Sequence, residues 1–94
     1  MRVEGVIWDE DDDVDGNVAH IAEHDISVDE EEDILYDPRN VTGPSRHLGR
    51  MLTCGWTETG RFLCVAWERA LNNPLIVKPV TAFDSNAPRS QRRG

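Results

Sequence analysis

Residues 50–68 constrain this chain more than any other segment. The run Arg50-Met51-Leu52-Thr53-Cys54-Gly55-Trp56 and the run Arg61-Phe62-Leu63-Cys64-Val65-Ala66-Trp67-Glu68 are both rich in strand-forming residues. Between them lies Thr57-Glu58-Thr59-Gly60, whose glycine can take the positive φ that a hairpin loop demands. A hairpin built from them must bury one face under another part of the chain. With 94 residues and 38% hydrophobic content there is material for one small core only.

The flanks suggest what covers it. Residues 3–8 read as a short strand, followed by an exposed acidic loop from Asp9 to Gly16. Val14, Val18, Ile21 and Ala22 recur at spacings of three and four, which predicts a helix over 17–24 with that stripe inward. Ser27-Val28-Asp29-Glu30 has the form of a capping box opening a second helix, with Val28, Ile34 and Leu35 on its buried side. Asp37-Pro38 ends it, because the residue before proline is pushed out of the helical region. Residues 39–48, with Gly43-Pro44-Ser45, read as a loop. After a turn at Asn72-Asn73-Pro74, residues 75–83 read as a third strand of the late sheet. Pro79 marks an edge or a bulge there, since it cannot donate to a ladder. The expectation is one α+β domain over 1–83, ordered β-α-α-β-β-β, with two short helices on a small antiparallel sheet. The basic tail 84–94 has too few apolar residues to pack and reads as disordered.

Charge is distributed unevenly. Residues 1–37 carry a formal −14 and residues 38–94 a formal +6, so the net −8 does not exclude a local basic surface. No stretch approaches the roughly 18–20 apolar residues needed to cross a bilayer, and the amino terminus lacks the order of a signal peptide. A cytoplasmic protein with no membrane partner is the expectation. Cys54 and Cys64 are too few for a disulfide framework or a four-cysteine zinc site. They lie close across the hairpin in either plausible register and read as free buried thiols. Asp11, Asp13, Asp15 and Gly16 match the start of a calcium loop, but its last ligand position falls on Ala22, so the segment reads as a solvated turn.

Two groups of residues are chemically competent. His20 and His24, four apart on a helix, share a face, and His47 lies on the loop before the hairpin; imidazoles titrate near neutrality and can move protons. Two histidines without a placed third ligand do not make a metal site, and no metal or other cofactor is expected. The hairpin carries Arg50, Arg61 and Arg69, Lys78 lies on the following strand and Arg46 on the loop before it; those sharing the face away from the helices could hold phosphate and balance its developing charge. The alternation of strand side chains prevents all of them from pointing one way. Trp8, Trp56 and Trp67 read as packing residues.

Several segments, in order, resemble the BrnT-like toxins, small ribonucleases of bacterial type II toxin-antitoxin pairs related to RelE. They are Trp8-Asp9, Asn17 with His24, Ser27 before an acidic helix, Gly55-Trp56-Thr57-Glu58-Thr59-Gly60-Arg61, residues 62–68, and Pro79-Val80-Thr81-Ala82. The resemblance implies a RelE-like fold and metal-independent endoribonuclease activity, or an inactive derivative of it. His24, His20, His47 and Arg61 would then be the catalytic candidates, Arg46, Arg50, Arg61, Arg69 and Lys78 would contact RNA, and a cognate antitoxin would be the partner. The chain departs from the family pattern at Glu23 and Phe83, where basic residues are usual. The rival reading is a non-catalytic protein-interaction module that docks through the acidic first half.

Overall fold

In a computed structural model that describes residues 2–47 and 49–85, the hairpin forms where its residues predict. The elements are β1 (Gly5–Val6), α1 (Asn17–Ala22), α2 (Val28–Tyr36), β2 (Val41–Pro44), β3 (Arg50–Trp56), β4 (Phe62–Leu71) and β5 (Ile76–Asp84). They build a five-stranded sheet in the order β1-β5-β4-β3-β2. The β3–β4 pairs run from Arg50 opposite Glu68 to Trp56 opposite Phe62, and Gly60 takes φ +89° in the turn. Only glycine accepts that backbone without strain.

β4 lies at the centre of the sheet, and its first six residues are buried on both faces. Leu63, Val65 and Trp67 turn toward the helices and join Ile21, Ile26, Ile34, Leu35, Val77 and Ala82 in one apolar cluster. Fully burying such side chains is worth roughly 1.5–3 kcal/mol each. The Trp67 indole N–H, which burial would otherwise strand, donates to Thr53 Oγ1 at 2.8 Å. α2 begins with the expected capping box: Ser27 Oγ accepts from the Glu30 amide at 3.2 Å, and Glu30 Oε1 accepts from the Ser27 amide at 3.0 Å. Trp8 at the end of the first strand segment donates to Glu32 Oε2 at 2.8 Å, fastening it to α2.

Four features depart from the sequence expectations. The segment 39–48 holds a strand, β2, which pairs antiparallel with β3 at the sheet edge; Gly43-Pro44 reads as a turn in sequence, yet an edge strand tolerates proline. β1 is only two residues long and pairs parallel with β5, so the sheet is mixed. Val14, expected on the helical stripe, is 82% exposed, because α1 begins only at Asn17 and commits Ile21 alone to the core. Cys54 and Cys64 are not free thiols: they face each other in register and are joined as a disulfide. The irregularity expected at Pro79 is present as a bulge: the β4–β5 register slips there, with Ala66 opposite Thr81 and Trp67 opposite Pro79, which leaves Val80 as the extra residue. Of the tail, Asp84 and Ser85 continue or follow β5, and the rest lies outside the described residues.

Glu31 was not singled out by the sequence. It lies on the inward side of α2, one turn before Ile34 and Leu35, fully buried, and neither carboxylate oxygen has a hydrogen-bond partner among the described residues. Burial pushes its pKa up from 4.5 to about 8. A raised folded-state pKa means that stability is complete below about 4.5, falls as pH rises toward 8 and then levels. Chemical denaturation from pH 5 to 8 should therefore show a loss approaching about 1.4 kcal/mol per pH unit that the Glu31→Gln variant lacks. Reduction of the Cys54–Cys64 bond should separately lower stability by roughly 2–3 kcal/mol, from the loop entropy returned to the unfolded chain, read by denaturation with and without reductant.

Candidate functional site

Beyond the two residues of β1, the edge of β5 is covered by α1. Asn17 makes that contact specific. Its Nδ2 donates to the carbonyls of Ile7 at 3.0 Å and Pro79 at 3.1 Å, its Oδ1 accepts from the Asp9 amide at 2.8 Å, and its own amide donates to Asp9 Oδ2 at 2.9 Å. Gly16 precedes it with no room for a side chain, since a Cβ there would lie 2.7 Å from Asp9 Cβ. The acidic turn before it is closed by its own backbone and by Asp13 Oδ1, which accepts from the Asp15 amide.

Residues three apart on a helix share a face, so anchoring Asn17 to Pro79 carries His20 to Thr81. His20 Nε2 lies 3.1 Å from Thr81 Oγ1, and Nδ1 lies 3.9 Å from Glu23 Oε2. Both His20 and Thr81 line an open cleft of about 480 Å³ whose other wall is the end of the sheet face turned away from the helices. There Arg50, Glu68 and Lys78 stand in register across β3, β4 and β5. The ion pairs in the cleft are loose: Arg50 Nε to Glu68 Oε2 is 3.5 Å, and Lys78 Nζ to Asp9 Oδ1 is 3.6 Å. Pairs of this length between part-exposed side chains are worth roughly 0–1 kcal/mol, so either cation can leave its carboxylate at little cost.

Of the sequence candidates, the structure brings His20, Arg50 and Lys78 together and places the others outside the cleft. His24 packs its ring edge-on to His20, with centroids 5.5 Å apart. Arg46 and His47 lie on the exposed loop before β3. Arg69 has its guanidinium 5.9 Å from the Trp67 ring centroid. Arg61 grips Asp84 with two bonds of 2.7 Å, donates to the Asp25 carbonyl at 2.7 Å and pairs with Glu30. The Asp84 hydrogen bonds raise the Arg61 pKa and the Arg61 guanidinium lowers that of Asp84. Asp25, in the left-handed region at φ +59°, presents the carbonyl that Arg61 takes. Arg61 thus fastens the end of β5 to the α1–α2 turn. Sequence reasoning missed Thr81, Glu68 and Asp9; the register of the hairpin could have placed Glu68 beside Arg50, whereas Pro79 signalled an edge or a bulge without showing that it delivers Thr81 to the cleft.

The remainder of the uncovered face is apolar, with Leu52, Trp56, Phe62, Phe83 and the disulfide along it, so of the expected cations it carries Arg50 and Lys78 at one end. Among the described residues no group of three or more His, Cys, Asp or Glu is arranged to hold a metal ion, and no helix is long and apolar enough to cross a membrane.

No protein-family model matches the chain, and no curated protein or solved structure matches it either.

Replacing Arg61 by alanine should cost about 1–2 kcal/mol of stability, since it removes charged hydrogen bonds at a part-buried site. In a thermal melt the effect should exceed that of Arg50→Ala, whose one ion pair is long and open.

Proposed function

We propose that this chain is a toxin-like ribonuclease domain, of the BrnT/RelE-like kind its sequence resembles, that binds and cleaves RNA at the His20 cleft. The observation that carries the reading is the convergence of an imidazole, a hydroxyl and two displaceable cations on one open cavity. RNA supplies its own nucleophile. With a phosphodiester against Arg50 and Lys78, His20 takes the proton of the ribose 2′-hydroxyl and the 2′-oxygen bonds to the adjacent phosphorus. The bond from phosphorus to the 5′-oxygen breaks, and that oxygen is protonated by water, leaving a 2′,3′-cyclic phosphate and a 5′-hydroxyl. Arg50 and Lys78 offset the negative charge that grows on the phosphoryl oxygens in between. A cognate antitoxin belongs to the same reading.

A second reading, a non-catalytic protein-interaction module, is favoured by the exposed acids of residues 10–13 and 15, which present a dense negative surface to a basic partner. The two separate on purified protein with single-stranded RNA. Under the ribonuclease reading His20→Ala and Lys78→Ala each reduce cleavage about 100-fold or more with the melting temperature unchanged, whereas Arg61→Ala reduces stability first. Cleavage absent from the wild type, or retained in His20→Ala, removes the enzyme and leaves the interaction module.

A further inference from the structure

The cations of the cleft are arranged as a row interrupted by an acid. Arg50, Glu68 and Lys78 are direct cross-strand neighbours, so Glu68 stands between two positive side chains whose backbones are two strand spacings, about 10 Å, apart. Arg50 reaches toward it and holds it at 3.5 Å. Glu68 is part-exposed, and its ion pair with Arg50 is long. A carboxylate placed between two cations occupies the position that a bridging phosphate would take, with the same charge sign and the same acceptor oxygens.

From this row we infer that Glu68 is an internal competitor at a phosphate clamp: its carboxylate masks Arg50 and, in part, Lys78, and an RNA strand enters by displacing it. The inference rests on the cleft being the phosphate-binding surface and adds how access to it is regulated. The ligand class follows from the spacing. Two cations about 10 Å apart at the backbone, with long flexible side chains leaning inward, suit neighbouring phosphates of one extended single strand. Asp9, which holds Lys78 at 3.6 Å, is tied to the Asn17 amide and so is fixed in place, whereas among the described residues Glu68 has no backbone tether of this kind and is the acid free to swing away.

Displacement of an internal carboxylate, in place of a bound counterion, also flattens the salt dependence of binding. A carboxylate freed by the incoming strand takes up a cation and so offsets part of the cation release from the RNA that sets the slope; without that carboxylate the slope steepens. The test measures binding of a short fluorescein-labelled single-stranded RNA by anisotropy over a salt series. It compares the wild type with Glu68→Gln and with Glu58→Gln, which removes an equal charge at the hairpin turn outside the cleft. Glu68→Gln should bind about fivefold tighter or more and steepen the log–log salt slope by about 0.7, while Glu58→Gln stays within about twofold of the wild type. Equal tightening by both variants would reduce the effect to bulk charge and overturn the inference, as would an unchanged affinity in Glu68→Gln. Cleavage is scored in the same samples. Tighter binding by Glu68→Gln without cleavage by any variant supports the clamp and removes the ribonuclease; cleavage by the wild type with no gain in Glu68→Gln removes the mask and keeps the ribonuclease.

Discussion

The geometry of the cleft depends on one carboxamide. Asn17 is 94% buried, and its side chain satisfies two backbone carbonyls and one amide drawn from the loop after β1 and from the bulge of β5. Leaving those groups unpaired in the interior would cost about 1–3 kcal/mol each. The first helix is only six residues long, too short to hold its position through propensity or cooperativity. Its placement comes instead from this polar tie and from Ile21 entering the core. Because His20 follows Asn17 by three residues, the tie that fixes the helix also fixes the imidazole against Thr81.

The sheet then divides its labour by face. Toward the helices, β4 contributes Leu63, Val65 and Trp67 to a continuous apolar cluster. On the other face, the disulfide, Trp56 and Phe62 fill one end, while the charged row of Arg50, Glu68 and Lys78 marks the other. The charged cleft is therefore confined to one corner of this face, where the bulge at Val80 and the start of α1 meet the row.

The hairpin, its glycine turn, the capping box of α2 and the proline irregularity of β5 were legible in sequence because each rests on local stereochemistry that neighbours in the chain determine. β2 was not, since its pairing is decided by the exposed edge of β3 and not by its own four residues. The parallel pairing of β1 likewise depends on a strand some seventy residues away. The candidate site was legible as a set of residue types, not as a place. His20, Arg50 and Lys78 were named among eight candidates, but the choice among them came from strand alternation, one register slip and the loose or tight character of each ion pair. Glu31 escaped notice because an acid in an acidic helix reads as surface, and only the packing of α2 shows that its turn faces inward.

That difference among ion pairs decides which cations are available to a ligand. A guanidinium is equally charged wherever it sits, so counting arginines overstates a basic surface. Arg61, matched most directly by the sequence resemblance, has two oxygens of Asp84 in fork geometry, a backbone carbonyl and a second carboxylate, and a phosphate arriving there would have to break all of them. Arg50 and Lys78 each have one carboxylate at 3.5 and 3.6 Å in contact with solvent. The energy needed to free them is within what a single phosphate contact returns. A net charge of −8 likewise need not exclude an anionic ligand, because charges more than a Debye length of roughly 8–10 Å away are screened; the ligand meets the potential of the local row, opposed by Asp9 and Asp15, which line the same cleft.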